Sequence, residues 1–219
     1  IGVVLNVGSA HLGEFGSREA IAQAKGELVE ALPPGERGGV AILNADDPLV
    51  AAMAGRTSAR VVTVGESRSA DVRAESITLD ELGRASFVLA AGAERNNVRL
   101  RLVGEHHVGN ALAAAAVAVE CGMALADVAA ALGEAGAASR WRMELTQRPD
   151  GVLVLNDAYN ANPESMRAAL KALASIAAPR RASGGRSFAV LGPMAELGPD
   201  GPAEHDAIGR LAVRLDIGQ

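Results

Sequence analysis

The chain has little of what marks most binding chemistries. Its 219 residues hold one cysteine, Cys121, which excludes an internal disulfide framework and a cysteine-rich zinc site and fits a reducing compartment. Aromatics make up 2%: one Trp, one Tyr and three Phe. That is too few for the stacking platforms of single-strand nucleic-acid binders or for aromatic cages. Positive charge does not prevail, since Lys plus Arg is 21 against Asp plus Glu at 26, a net charge of −5. No basic field draws a phosphate backbone, so no nucleic-acid partner is expected. No apolar run reaches the roughly 18 to 20 residues of a membrane-spanning helix. The Gly-x-x-Gly-Lys-Ser/Thr phosphate loop of many nucleotide-binding proteins also occurs nowhere in these residues.

What is present is an ordinary globular composition, 49% hydrophobic and 21% charged, long enough for one to two domains of about 100 to 200 residues each. Short runs rich in Val, Ile and Leu recur at 1–7, 39–43, 60–64, 86–90, 98–103, 152–156 and 187–191, with helical patterns between them. This is the pattern of an α/β fold. From Arg60 to Val103 strand follows strand, with a polar turn expected at Glu94-Arg95-Asn96-Asn97. A small antiparallel section is therefore predicted beside a mostly parallel sheet.

Helices are expected at Val108 to Cys121 and Leu125 to Glu134, and the small residues Gly133 to Ser139 place a domain boundary near 138. Residues 1–138 and 139–219 then form two units. In the second, Trp141 to Thr146 reads as a strand, Pro149-Asp150-Gly151 as a hairpin turn, and Pro163 to about Ile176 as a helix capped by Asn162. Arg180 to Arg186 reads as a polar loop. The chain opens without Met in a strand-like run and closes at Asp216-Ile217-Gly218-Gln219, so we read it as an internal piece of a longer, cytoplasmic protein.

Candidate chemistry collects at strand ends, where open α/β sheets bind ligands. His11 follows the first strand, placed for a ligand or for a structural role. In the next helix, capped by Ser17, residues Ile21, Ala24, Leu28 and Leu32 predict an apolar stripe, and Lys25 falls within it. Its stem is expected along the buried face, with its head either snorkelling to the surface or aimed at a polar site. There the ammonium suits a phosphate, or, after carbamylation, an oxygen ligand for a hard cation such as Mg²⁺.

Asp46-Asp47-Pro48 follows the strand at 39–43; capping a helix at Pro48 is the expected role of Asp47, with a metal as the other reading of the carboxylate pair. Asn110, near a helix start after Gly104-Glu105-His106-His107, offers the donor and acceptor an adenine edge requires, or a local cap. Arg140 and Arg142 flank Trp141, and strand alternation would put both opposite the indole, for phosphates across a cleft or for surface ion pairs. Asp157 ends a strand and can accept from ribose hydroxyls or form a turn. Glu196, in Gly192-Pro193-Met194-Ala195-Glu196-Leu197-Gly198, is expected at the same edge.

Asn6-Val7-Gly8-Ser9-Ala10-His11-Leu12, Ala24-Lys25-Gly26-Glu27, Leu43-Asn44-Ala45-Asp46-Asp47, Asp157-Ala158-Tyr159-Asn160-Ala161-Asn162-Pro163 and Gly192 to Gly198 together resemble the Mur ligases, over the whole chain. The last two segments resemble the branch that joins D-alanyl-D-alanine to UDP-N-acetylmuramoyl-tripeptide. The resemblance implies the second half of a mononucleotide-binding ATPase domain followed by a truncated Rossmann-like α/β domain. It implies ATP and Mg²⁺ as cofactors and peptide-bond formation through an acyl phosphate. His11 and a carbamylated Lys25 would serve the metal, Asn110 adenine, Asp157 ribose and Arg142 the phosphates, with Arg140 as fallback. Tyr159, Asn160 and Glu196 would touch substrate.

One departure stands out: the family's His-Asn pair reads His106-His107 here, which removes any contact made by that Asn. With its phosphate loop upstream, this piece alone is expected not to turn over, and to be a monomer that acts on small molecules. Alternative readings are a folylpolyglutamate synthase, a sister ligase or a non-catalytic nucleotide-binding module.

Overall fold

The computed structural model describes residues 1–8 and 16–218. A six-stranded sheet runs in the order β1 (Gly2–Val4), β2 (Val40–Asn44), β3 (Arg60–Gly65), β4 (Val72–Leu79), β5 (Arg84–Ala91) and β6 (Glu94–Val103). Strands β1 to β4 are parallel, and β4, β5 and β6 form an antiparallel meander.

Strand β2 explains the layering. Val40 and Ile42 enter a core shared with α3 (His107–Glu120) and α4 (Leu125–Glu134), while Ala41 and Leu43 enter one shared with α1 (Arg18–Glu30) and α2 (Pro48–Ala51). A strand covered on both faces needs an unbroken apolar run, and Val40 to Leu43 supplies it. Ile42 and Leu43 are fully buried, each worth roughly 1.5–3 kcal/mol of transfer from water.

Helix starts follow the sequence signals. Ser17 Oγ accepts from the Ala20 N–H at 3.1 Å, Asp47 caps α2, and Asn162 and Ser165 form a reciprocal capping box at α5 (Pro163–Arg181). Strands β7 (Glu144–Gln147) and β8 (Leu153–Asn156) make a separate hairpin, turned at Gly151. α5 and α6 (Gly201–Arg214) bury Leu170, Ile208 and Ala212 together. The two parts meet where Val103, at the end of β6, packs with Met143, Ala172 and Ile176.

Several expectations are corrected. The buried stripe of α1 is Ile21, Ala22, Gly26 and Val29, and Leu28 is 47% exposed. Ile21, Ala22 and Val29 pack into the core under β2, and Arg56 covers the same face at Gly26, donating to the carbonyls of Ala22 and Gln23. A pattern that counts only apolar side chains misses a face built on glycine. The turn before β6 falls at Gly92 (φ 54°), and Glu94 to Asn97 already belong to the strand. A left-handed turn selects Gly, while polar residues suit an exposed edge strand.

Among the described residues, 187–191 make one bridge, Phe188 to Gly218. An apolar run becomes a strand only beside a partner edge, and the hairpin pairs solely with itself. Arg180 and Arg181 are helical, not loop, and α5 runs past Pro179. The ring removes one N–H near the helix end, where exposed Ser175 leaves its carbonyl to water.

Candidate functional site

A cavity of about 570 Å³ opens beyond the carboxyl ends of β1, β2 and β3. The sheet side contributes Asn6, Asn44, Asp46 and Glu66, the start of α3 contributes Glu105, His106 and Asn110, and α5 closes it with Arg167 and Lys171.

The exit of β1 is held residue by residue. Asn44 Nδ2 donates to the Leu5 carbonyl at 2.9 Å, Lys25 Nζ to the Asn6 carbonyl at 2.8 Å, and Arg18 Nη2 to the Val7 carbonyl at 2.6 Å. Asp47 Oδ2 accepts from the Val7 N–H at 2.7 Å while its Oδ1 caps α2. One carboxylate thus ties a helix start to a strand end. Asp46 accepts from the N–H groups of Glu66 and Ser67, fixing the turn after β3.

Beside the cavity, His106 lies within electrostatic reach of Asp157. Gly104 (φ 113°) makes room for that ring, since a Cβ there would lie 2.5 Å from His106 Cε1. Asp157 Oδ1 accepts from the Met143 N–H at 2.9 Å. Burial raises the Asp157 carboxyl above its usual range, opposed by that hydrogen bond and by the charges of His106 and Arg142. Burial lowers His106, and Asp157 acts against the shift. His107 is pushed down to about 4 by burial and by His106, and its Nε2 is buried without a hydrogen-bond partner. Desolvation also raises Glu66, reinforced by Asp46 and Glu105. The sheet side is therefore acidic, while α5 contributes Glu164, Lys171 and an Arg167 already paired with Glu204.

Asn110 lines the cavity, and no side-chain hydrogen bond caps α3, so the local-cap reading of Asn110 has no support. Asp157, Arg142 and Tyr159 are brought together: the Arg142 Cζ lies 4.0 Å from the Tyr159 ring centroid. The alternation argument for Arg140 and Arg142 fails, because Trp141 (φ 62°) and Met143 (φ 50°) are left-handed, not extended.

Lys25 is exposed rather than buried along its stem, because the helix is rotated as described, although its head does reach the strand exit. His11 lies outside the described residues. Asn160 and Glu196 are exposed and do not line the cavity; Glu196 sits in a left-handed turn (φ 61°). Among the described residues, no group of three His, Cys, Asp or Glu side chains gathers to hold a metal ion. Sequence reasoning missed Glu66, which obeys the same strand-end rule as Asp46. It also missed Arg167 and Lys171, for which helix periodicity gives a shared face but not what that face covers.

A cleft at the carboxyl ends of parallel strands, closed by a helix of a following α/β unit and edged by Asp, Arg and Asn, defines an open α/β protein with a ligand cleft at its strand ends. The Mur ligase middle domain matches residues 1–118, and the Mur ligase glutamate ligase domain matches residues 141–216. The chain belongs to the Mur ligase family.

It is 60% identical over 217 residues to the UDP-N-acetylmuramoyl-tripeptide–D-alanyl-D-alanine ligase of Mycobacterium tuberculosis, covering 99% of this chain and 42% of that protein. MurF from Acinetobacter baumannii is similar in structure, with a TM-score of 0.83 at 36% identity over 96% of this chain and 44% of that one. MurF from Thermotoga maritima in complex with ADP has a TM-score of 0.80 at 26% identity, over 96% and 46%. The chain thus spans less than half the length of these relatives.

Proposed function

We propose that this chain is the nucleotide-facing part of an ATP-dependent ligase that joins D-alanyl-D-alanine to UDP-N-acetylmuramoyl-tripeptide in the cytoplasm. The observation that carries the reading is the cavity at the strand exits, with Asn110 in its wall and the Asp157–Arg142 pair beside His106. The 60% identity to a mycobacterial protein of that name supports the substrates, and the ADP complex of the Thermotoga relative supports the nucleotide. We put the change of unit near residue 138, a reading supported by the gap between the two family matches at 118 and 141.

In this reading, Asn110 binds the base, Asp157 accepts from the ribose and Arg142 faces the phosphates. Asn160 and Glu196 remain the proposed substrate side, whereas the Tyr159 ring lies against Arg142. ATP supplies the phosphoryl group that activates the tripeptide carboxylate. Lys25 and His11 would hold Mg²⁺, and the donor chemistry of Lys25 fits: a carbamate at Nζ keeps one N–H for the Asn6 carbonyl while offering oxygens to a hard cation.

These residues hold no lysine-bearing loop that cradles phosphates, so by themselves they do not turn nucleotide over. The test is ATP-dependent phosphate release with both substrates present. The longer protein containing this sequence is expected to turn over and residues 1–219 are not. Turnover by residues 1–219, or none by the longer protein, overturns the reading.

A further inference from the structure

We infer that Tyr159 is the positioning residue of an anion-binding arginine, holding Arg142 flat with its donors unspent, and is not itself a substrate contact. The inference rests on the nucleotide reading of the cleft. Its physical basis is the local build. Residues 141–143 and 157–159 are strapped together by two hydrogen bonds, from the Met143 N–H to Asp157 Oδ1 at 2.9 Å and from the Tyr159 N–H to the Trp141 carbonyl at 3.1 Å. The left-handed backbone at Trp141 and Met143 turns the intervening Arg142 back over the strap. There its Cζ rests 4.0 Å from the centre of the Tyr159 ring.

Stacking uses the face of a guanidinium and leaves its in-plane N–H groups available. Among the described residues no side chain or carbonyl takes a hydrogen bond or ion pair from Arg142, in contrast to the ion pairs of Arg56, Arg84, Arg101, Arg167 and Arg181 with carboxylates. An arginine fixed by its face and idle at its edge is arranged for bidentate contact with an anion such as a phosphate. Asp157, two residues from Tyr159, is close enough for its charge to act on the guanidinium. It does not consume the fork: among the described residues the hydrogen bond that Asp157 accepts comes from the Met143 N–H, and Arg142 donates none to it. Tyr159 is itself 58% exposed, so removing its ring leaves the core untouched.

The experiment uses the 219-residue chain with ADP and adenosine as probes, read by calorimetry, in wild type, Tyr159→Phe, Tyr159→Ala, Arg142→Ala and the double Ala variant. The ¹⁵N relaxation of Arg142 Nε gives a readout that needs no nucleotide. Expected results are a roughly threefold to tenfold loss of ADP affinity in Tyr159→Ala, unchanged adenosine affinity, and near wild-type behaviour in Tyr159→Phe; tenfold corresponds to about 1.4 kcal/mol. No further loss is expected when Tyr159→Ala is added to Arg142→Ala, and Arg142 Nε should be ordered in wild type and Tyr159→Phe but loosened in Tyr159→Ala.

An equal loss for adenosine and ADP would make Tyr159 a direct contact and overturn the inference. So would an additive double variant, or an Arg142 Nε as mobile in wild type as in Tyr159→Ala. Failure of the wild type to bind ADP, with an ordered Arg142 Nε, would instead remove the nucleotide reading and leave the stacking intact.

Discussion

Lys25 Nζ donates to the carbonyl oxygen of Asn6 at 2.8 Å, so a helix that begins 17 residues into the chain reaches back to the strand exit lining the cavity. The contact is solvent-exposed and local, which separates its role in chemistry from any role in stability. In the longer ligase, Lys25→Ala is predicted to lower ATP-dependent phosphate release by about 100-fold or more, while stability changes by no more than about 0.5 kcal/mol. Bicarbonate or short carboxylic acids should restore part of the rate. A steady-state assay paired with urea unfolding checks both halves; equal damage to rate and fold would contradict the separation.

Asp47 carries the opposite expectation. Its two oxygens accept from Val7, Leu49 and Val50, joining the end of β1 to the start of α2. Asp47→Ala removes a helix cap and leaves the Val7 N–H short of its acceptor, a cost of about 1–3 kcal/mol. Asp47→Asn keeps the oxygen that caps α2 but turns an amide NH2 toward the Val7 N–H, so it should recover the cap and not the tie to β1. Chemical denaturation of the two variants makes the comparison.

At Gly26 two effects compete. Alanine improves helix propensity by about 1 kcal/mol, yet a Cβ there would fall 1.9 Å from Arg56 Nη1. Arg56 would have to leave the carbonyls of Ala22 and Gln23. Gly26→Ala is therefore predicted to destabilise the wild type and to stabilise the Arg56→Ala variant. Thermal melting of the four proteins reads the change of sign.

The buried, partnerless Nε2 of His107 sets an acid limit. Burial holds its folded pKa at about 4, below the 6.5 of a free histidine, so between these values the unfolded chain binds more protons and stability rises with pH. Stability is whole above about pH 6.5 and falls on acidification towards pH 4. His107→Asn removes this contribution while leaving those of His106 and Asp157 in place. Urea unfolding from pH 4 to 7 should give a flatter profile for the variant than for the wild type; parallel profiles would contradict the assignment.

What could be read in advance follows from the range of the forces involved. Caps at Ser17, Asp47 and Asn162 are local, so residue identity and spacing sufficed. The buried run Val40 to Leu43 announced a central strand because both its faces are covered. The phase of α1 was hidden because part of its buried face is Gly26, covered by the distant Arg56. The run 187–191 was misread because a strand is a property of two segments. The Arg142–Tyr159 stack was likewise hidden, because it depends on two left-handed residues, Trp141 and Met143, that an alternating pattern treats as extended. Of the cavity wall, Asn110 was singled out from the sequence; Asp157 and Arg142 belong to the proposed site on the resemblance, whereas Arg167 and Lys171 depend on how α5 lies over the sheet.

The central claim, that the cavity at the strand exits is the nucleotide site, is tested most directly by mapping backbone amide shifts as ADP is titrated into the chain. The account predicts perturbations at Asn6, Asn44, Glu66, His106, Asn110 and Asp157. Perturbations confined to the groove between β6 and α4, around Arg99 and Gly133, or none at saturating ADP, would contradict it.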